Sequence, residues 1–226
     1  MDGRHALISF AHQQHTPEVL ECCESFCLDN GAFTIWKTTG GQIDVKAYSE
    51  WVERIGKHPG FDFCLIPDVI EGTEEENDAL IEKWECNLTS VPVFHLNESP
   101  DRFFRLADKF KKVAFGSTSE WGRNGTKEWW NNMKNLMNII TDAEGNLPCK
   151  VHGLRMLDPN IFRFLPLHSG DSTNAAVNGG RQMKNVSMPA IKRWQGSERI
   201  AQRIESFQSA SHWDEEKLYE EGLLEK

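Results

Sequence analysis

Residues 61–85 read FDFCLIPDVIEGTEEENDALIEKWE, a short apolar run followed by a helical segment. The run at 61–69 is rich in apolar residues, as expected of a parallel strand that is buried on both faces. Thr73 precedes Glu76 by the spacing of a capping box, which predicts that a helix begins here and continues to residue 85. The stretch therefore predicts one strand–helix unit, with Asp68 near the end of its strand.

The same alternation of apolar runs and helical segments recurs along the chain. It predicts strands at residues 5–11, 26–33, 61–69, 91–96, 112–117, 150–156 and 161–167. It predicts helices at residues 16–24, 45–57, 73–85, 100–110, 127–140, 189–207 and 214–221. Strands that alternate with helices are usually parallel, with the helices as crossovers. Seven or eight such units favour an α/β fold of the compact (β/α)8 TIM-like barrel type, with an open doubly wound sheet as the alternative.

Length and composition predict one domain over residues 1–226, with C-terminal helices over about 189–226. Of the 226 residues, 39% are hydrophobic, which is enough for a sizeable core. No run of about 18 apolar residues occurs and the start lacks a signal-peptide pattern, so no membrane span is expected. The six cysteines are scattered over the α/β pattern, which favours a reduced, cytoplasmic protein. Cys22, Cys23 and Cys27 have no matching second pair, so helix packing is favoured over a zinc site.

Charge is distributed unevenly along the chain. The net charge of −9 argues against general nucleic-acid binding. Residues 181–203, however, contain only one acid, Glu198, against six basic residues: Arg181, Lys184, Lys192, Arg193, Arg199 and Arg203. Such a segment is either a local phosphate-binding surface or a solvated amphipathic helix, and the sequence leaves both open.

Polar side chains recur where the predicted strands end, which is where parallel α/β folds bind ligands. They are Asp29, Asp68, His95, Ser117, His152 and Asp171. A single aspartate at such a position often caps a helix, but the recurrence at several ends favours an active site. Gly31 and Gly116 would let a flat ligand approach the backbone.

Other chemistries have weaker signals. No phosphate-binding loop, dinucleotide glycine motif or nucleophile elbow is present in the sequence. A metal-dependent hydrolase with His95, His152, His168 and Asp171 as ligands stays an alternative, although their spacing matches no known ligand motif. A non-catalytic nucleic-acid-binding barrel is the other alternative. No cofactor is predicted.

The strand ends, taken in order, resemble the tRNA-guanine transglycosylase superfamily, especially its DNA-acting 7-deazaguanine transglycosylase-like branch of phages and bacteria. The resemblance covers roughly residues 5–175. Asp29-Asn30-Gly31-Ala32-Phe33 is similar to the family's D-S-G-G-F segment, and Asp68 falls where the family has a base-reading aspartate. The other matching positions are Phe115-Gly116-Ser117, His152-Gly153-Leu154 and Asp171.

The resemblance implies a barrel enzyme that cleaves the bond between a nucleobase and its sugar. Asp171 would attack the anomeric carbon and Asp29 would be the general acid and base. Asp68 would accept hydrogen bonds from base N–H groups, and Phe33 would stack on the base. The remaining base-binding positions would be His95, Gly116, Ser117, His152 and Gly153.

The chain also departs from the family pattern. His95 lies where the family has a base-reading glutamine, Ser117 replaces a second glycine, and the downstream zinc cluster is missing after Asp171. These changes and the short chain favour DNA over tRNA, and a DNA glycosylase that removes a modified base, with base exchange as the alternative. A flipped or single-stranded base is needed in either case. The predicted DNA-binding residues are Trp121, Arg123, Arg181, Lys184, Lys192 and Arg193.

Overall fold

The computed structural model describes residues 3–117, 121, 123–178 and 193–225. It is a mixed α/β structure with two four-stranded sheets, in the orders β1-β2-β3-β4 and β5-β6-β7-β8. The strands are β1 (His5–Ser9), β2 (Ser25–Asp29), β3 (Phe61–Leu65), β4 (Ser90–Val91), β5 (Val93–His95), β6 (Lys112–Gly116), β7 (Lys150–Gly153) and β8 (Ser169–Gly170). The pairs β1–β2, β2–β3, β3–β4 and β7–β8 are parallel. The predicted α/β class is confirmed, and closure into a barrel stays a prediction.

Helices follow most of the strands. They are α1 (Thr16–Cys22), α2 (Ala32–Thr39), α3 (Val45–Ile55), α4 (Glu74–Lys83), α5 (Pro100–Lys109), α6 (Lys127–Ile140), α7 (Pro159–Phe162), α8 (Asn174–Asn178), α9 (Arg193–Glu205) and α10 (Glu216–Glu220). The capping box predicted at Thr73 and Glu76 is present at the start of α4. Ser99 caps α5, where Pro100 occupies the first turn. Local capping chemistry thus sets where these helices begin.

Two of the predicted strands are wrong in part or in whole. The strand predicted at 26–33 ends at Asp29, and α2 begins at Ala32 because Gly31 turns the chain with a φ of 76°. The region predicted as a strand at 161–167 has no strand; its first two residues end α7, and a turn follows. The start of α7 is set by Asp158, whose side chain accepts the N–H of Asn160, and by Pro159 in the first turn.

The contacts divide the chain into two compact units, Met1–Ala114 and Phe115–Lys226. In the first unit, β1, β2 and β3 pack against α1 and α3. Its core contains Ile8, Val19, Phe26, Leu28, Tyr48, Trp51, Val52, Ile55 and Cys64. The Tyr48 hydroxyl donates to the Leu65 carbonyl at 2.7 Å and lies 3.3 Å from the Leu28 carbonyl, so it ties α3 to the ends of β2 and β3.

The second unit has a core of its own around α6. Trp129 and Trp130 are fully buried there, with their rings 4.9 Å apart in an edge-to-face arrangement. Trp130 also contacts Phe164 edge-to-face at 5.8 Å. These tryptophans therefore serve the packing of the helix. All six cysteines are free thiols.

Candidate active site

Asp68 lies three residues after β3 ends, and two side chains hold its carboxylate. Asn30, which directly follows β2, donates from Nδ2 to Oδ1 at 2.7 Å. His95, the last residue of β5, places Nε2 2.8 Å from Oδ2. A carboxylate only accepts hydrogen bonds, so the ring proton faces Asp68. The predicted meeting of strand-end residues is therefore found for Asp68 and His95.

The orientation of Asn30 is fixed by the backbone around it. Its Oδ1 accepts the N–H of Ala32 at 2.8 Å, which leaves Nδ2 to donate to Asp68 and to the Ile66 carbonyl at 2.9 Å. Gly31 makes this turn possible, because a Cβ there would lie 2.9 Å from the backbone nitrogen of Ala11. A side chain at position 31 would push these groups apart.

Behind His95, a further carboxylate and a guanidinium extend the cluster. Glu98 accepts the backbone N–H of His95 at 2.8 Å, and its Oε1 lies 3.7 Å from Nδ1 of the ring. Arg102 of α5 donates from Nη1 to Glu98 and from Nε to Asp78 of α4 at 2.9 Å. We call Asn30, Asp68, His95, Glu98 and Arg102 the Asp68 cluster; all five are at least nine-tenths buried.

Burial and the neighbouring charges change the pKa of His95 in opposite directions. Burial lowers the pKa of the imidazole, but the hydrogen bond and charge of Asp68, with the charge of Glu98, outweigh it and raise the pKa. For Glu98, burial raises the pKa, and the nearby Arg102 and His95 offset this only in part. Both groups therefore hold a proton more tightly in the folded protein.

Asp29 and Phe33 flank the turn that carries Asn30. Asp29 is the last residue of β2, is partly buried, and is paired in register with Ser9 of β1. Phe33, in the first turn of α2, is 36% exposed, and its ring centre lies 6.0 Å from that of Trp36. The Lys37 ammonium lies 5.8 Å from the centre of the same ring.

In the second unit, Asp171 follows directly after β8. Its Oδ1 accepts the backbone N–H of Arg155 at 2.9 Å and lies 3.6 Å from Nε2 of His152. The other nitrogen of His152 is 2.9 Å from the Ser169 hydroxyl. Among the residues that the structure describes, no donor approaches Oδ2 of Asp171, whose side chain is 14% exposed. We call His152, Arg155, Ser169 and Asp171 the Asp171 cluster.

The loop after β7 holds the Asp171 cluster in place. Arg155 adopts a left-handed conformation with φ of 58°, and its guanidinium donates to the Ser117 carbonyl at 2.9 Å. Gly153 is needed where this loop folds back, since a Cβ there would lie 2.7 Å from Leu167 and 2.8 Å from Met156. The loop thus packs its backbone closely against the end of β7.

The other predicted site residues are spread over the second unit. Gly116 ends β6, and the next residue, Ser117, is buried, with no partner for its hydroxyl among the described residues. Trp121 is half-buried and Arg123 is exposed. Arg193 begins α9. Three predicted DNA-binding residues lie outside the described residues: Arg181, Lys184 and Lys192.

Sequence reasoning missed the residues that support the two clusters. These are Asn30, Glu98, Arg102, Arg155 and Ser169. Glu98 and Arg102 have the i,i+4 spacing of a helical ion pair, which was the one available signal. Within the described part of the chain, no group of three His, Cys, Asp or Glu side chains is placed to hold a metal ion, so His95, His152, His168 and Asp171 do not form such a site.

No family model matches the chain, and no curated protein or solved structure matches it. None of the described helices is long and apolar enough to cross a membrane.

Proposed function

We propose that this protein cleaves the N-glycosidic bond of a modified nucleobase in DNA and releases the base as a DNA glycosylase. The observation that carries the proposal is the geometry of Asp171. Its Oδ1 is held by the Arg155 N–H at 2.9 Å, while no described donor approaches Oδ2. An anchored carboxylate with one oxygen available suits attack on, or stabilisation of, an electron-poor anomeric carbon.

Four of the predicted site residues have roles in this proposed reaction. Asp171 stabilises the sugar as the bond from C1′ to the base nitrogen breaks, either by bonding to C1′ or by aligning water. Asp29 protonates the departing base, which leaves with the electron pair of the broken bond. Water then forms the new bond to C1′, displacing Asp171 where it is bonded there, and gives its proton to Asp29, which restores the acid. Asp68 accepts hydrogen bonds from the base, and Phe33 stacks on it.

The proposal includes a (β/α)8 barrel closed from the eight described strands, which the parallel pairing within the sheets supports. DNA is the proposed partner because residues 181–203 have six basic residues against one acid in a chain of net charge −9, and Arg199 and Arg203 of this segment are exposed, as is Arg123. The target base must leave the stack to be cleaved.

The test uses duplex and single-stranded oligonucleotides with and without 7-deazaguanine, incubated with the full chain. Glycosylase activity predicts a released base, identified by mass spectrometry, and alkali-labile strand breaks without any added base. Incorporation of labelled free 7-deazaguanine into intact strands would show base exchange instead. DNA binding without either product would contradict an enzymatic role.

A variant pair tests the assigned nucleophile. Asp171→Asn keeps an oxygen for the Arg155 N–H but loses the charge, so we expect base release to fall by at least about a hundredfold. Asp108→Asn removes an exposed carboxylate from α5 and serves as the matched control, with unchanged activity. Full activity of Asp171→Asn would refute the mechanism.

A further inference from the structure

Three buried side chains behind Asp68 have no task in the reaction described above. They are His95, Glu98 and Arg102. We propose that His95 is a positioning residue that, as an imidazolium, holds Asp68 as an oriented hydrogen-bond acceptor, with Glu98 and Arg102 holding the ring. The proposal rests on the proposed function only for the identity of the ligand that Asp68 binds.

The first argument is the position of the ring between two carboxylates. Nε2 lies 2.8 Å from Asp68 and Nδ1 lies 3.7 Å from Glu98, so both ring nitrogens face an acceptor. A neutral imidazole has one N–H and would turn a lone pair towards one of these carboxylates. His95 is only 3% exposed, so no bulk water is at hand to bridge a ring lone pair and a carboxylate. The geometry therefore favours the imidazolium.

The second argument is the balance of buried charge. Asp68 reaches the ring from the loop after β3, and Glu98 reaches it from the turn after β5. Arg102 of α5 contacts Glu98 on the far side and also pairs with Asp78 of α4. With His95 protonated, two cations face three carboxylates, whereas a neutral ring leaves a single cation. Because an uncompensated buried charge is costly, the cluster favours the protonated ring.

The consequence concerns what Asp68 offers to a ligand. The imidazolium donates to Oδ2 and Asn30 donates to Oδ1, so both oxygens are oriented and remain acceptors. If the cation is removed, the buried Asp68 and Glu98 carboxylates lose the charged group that contacts both. Oδ2 of Asp68 then has lost its donor and is no longer held in one orientation. His95 thus sets the hydrogen-bonding character of the site through its contact with Asp68.

The direct test is an NMR titration of the protein with 15N-labelled histidine. The His95 signals are assigned by their loss in His95→Gln. We expect His95 to titrate above the usual histidine range, and Asp68→Asn to lower its pKa by about one unit, a tenfold loss of proton affinity. Asp62→Asn, at an exposed position of β3, should leave it unchanged. Titration in the usual range, unaffected by Asp68→Asn, would overturn the proposal.

The kinetic test uses base release from an oligonucleotide that contains 7-deazaguanine. We expect the kcat/KM of the wild-type protein to fall at alkaline pH as the imidazolium loses its proton. In His95→Gln the amide can still donate to Asp68 and does not titrate, so we expect activity to persist without that fall. In His95→Leu we expect KM to rise about tenfold, with kcat little changed, because the loss is in ligand binding. An unchanged KM in a folded His95→Leu variant would refute the positioning role.

These two tests separate the proposals. If the wild-type protein releases no base but the titration of His95 depends on Asp68, the proposed function fails and the positioning of Asp68 stands. If base is released but His95 titrates as an ordinary histidine, the proposed function stands and the positioning role of His95 fails. Circular dichroism of each variant establishes that it is folded, and His95→Gln supplies the result if His95→Leu does not fold.

Discussion

Arg155 donates its backbone N–H to Oδ1 of Asp171 at 2.9 Å from a left-handed conformation with φ of 58°. Residues with a Cβ are disfavoured in this region by about 1–2 kcal/mol. The conformation is held by the Arg155 guanidinium on Ser117 and by Asn124, which donates to the Arg155 carbonyl at 3.3 Å. The surrounding structure thus offsets local strain to keep one oxygen of Asp171 in place.

The strain at Arg155 can be measured with two substitutions. Arg155→Gly and Arg155→Ala both remove the guanidinium, but only alanine keeps a Cβ in the left-handed conformation. We expect the glycine variant to have the higher free energy of unfolding, by about 1 kcal/mol, whereas glycine is usually the less stable choice. Urea denaturation measures the difference. An alanine variant at least as stable as the glycine variant would contradict the strain.

Arg102 and Arg105 allow the contribution of a buried cation to stability to be compared with that of an exposed one. Both belong to α5 and both contact Asp78, but the Arg102 side chain is fully buried and the Arg105 side chain is 55% exposed. Arg102→Met leaves the Glu98 carboxylate buried without its cation, so we expect a loss of about 3–5 kcal/mol. Arg105→Ala should cost less than about 1 kcal/mol. Equal losses in chemical denaturation would contradict this assignment.

The sequence predicts α6 with its observed bounds because local signals coincide there. Thr126 accepts the N–H of Trp129, and buried residues recur at helical spacing as far as Ile140. Helix α2 could not be predicted in this way. Its apolar residues continue the pattern of β2, and the break between the two elements depends on Gly31, which packs against Ala11. That contact is tertiary and is not visible in local sequence.

The candidate site was predictable only in outline. Asp68 and His95 were expected near each other because both end strands, and the structure brings them to 2.8 Å. Glu98 and Arg102 look in the sequence like a solvated helical ion pair, yet both are buried. Burial of a charged group depends on what packs over it, so periodicity alone could not assign these residues to the site.

The Asp68 cluster predicts how stability depends on pH. The folded pKa of His95 is raised, so its stabilising contribution is fully present below its ordinary value of about 6.5 and is lost as the pH rises through the folded pKa. The pKa of Glu98 is also raised in the folded protein, so its contribution to stability also falls as the pH rises, beginning at about pH 4.3. Both groups therefore make the folded state less stable as the pH increases.

Urea denaturation from about pH 5 to about pH 9 tests this dependence. Wild-type protein should lose stability across the upper part of the range, and His95→Gln should show a smaller slope there because it lacks the titrating group. His58→Gln is the control, since this histidine belongs to a turn with its ring 5.6 Å from Phe26 and no carboxylate contact is described for it. A wild-type slope retained in His95→Gln would assign the dependence to other groups.

The proposed contact with DNA predicts a change in salt dependence. Arg199 and Arg203 are exposed and one helical turn apart on α9, so they lie on the same face of that helix. If each neutralises a phosphate, Arg199→Ala with Arg203→Ala should lower the slope of log Kd against log salt by about 0.9 per contact. Fluorescence anisotropy with a duplex oligonucleotide measures the slope.

The double variant Lys46→Ala with Lys83→Ala is the control. It removes the same charge from exposed positions on α3 and α4 and should leave the slope unchanged. Equal slopes in the two double variants would mean that α9 attracts DNA only through net charge, and would remove it from the proposed interface.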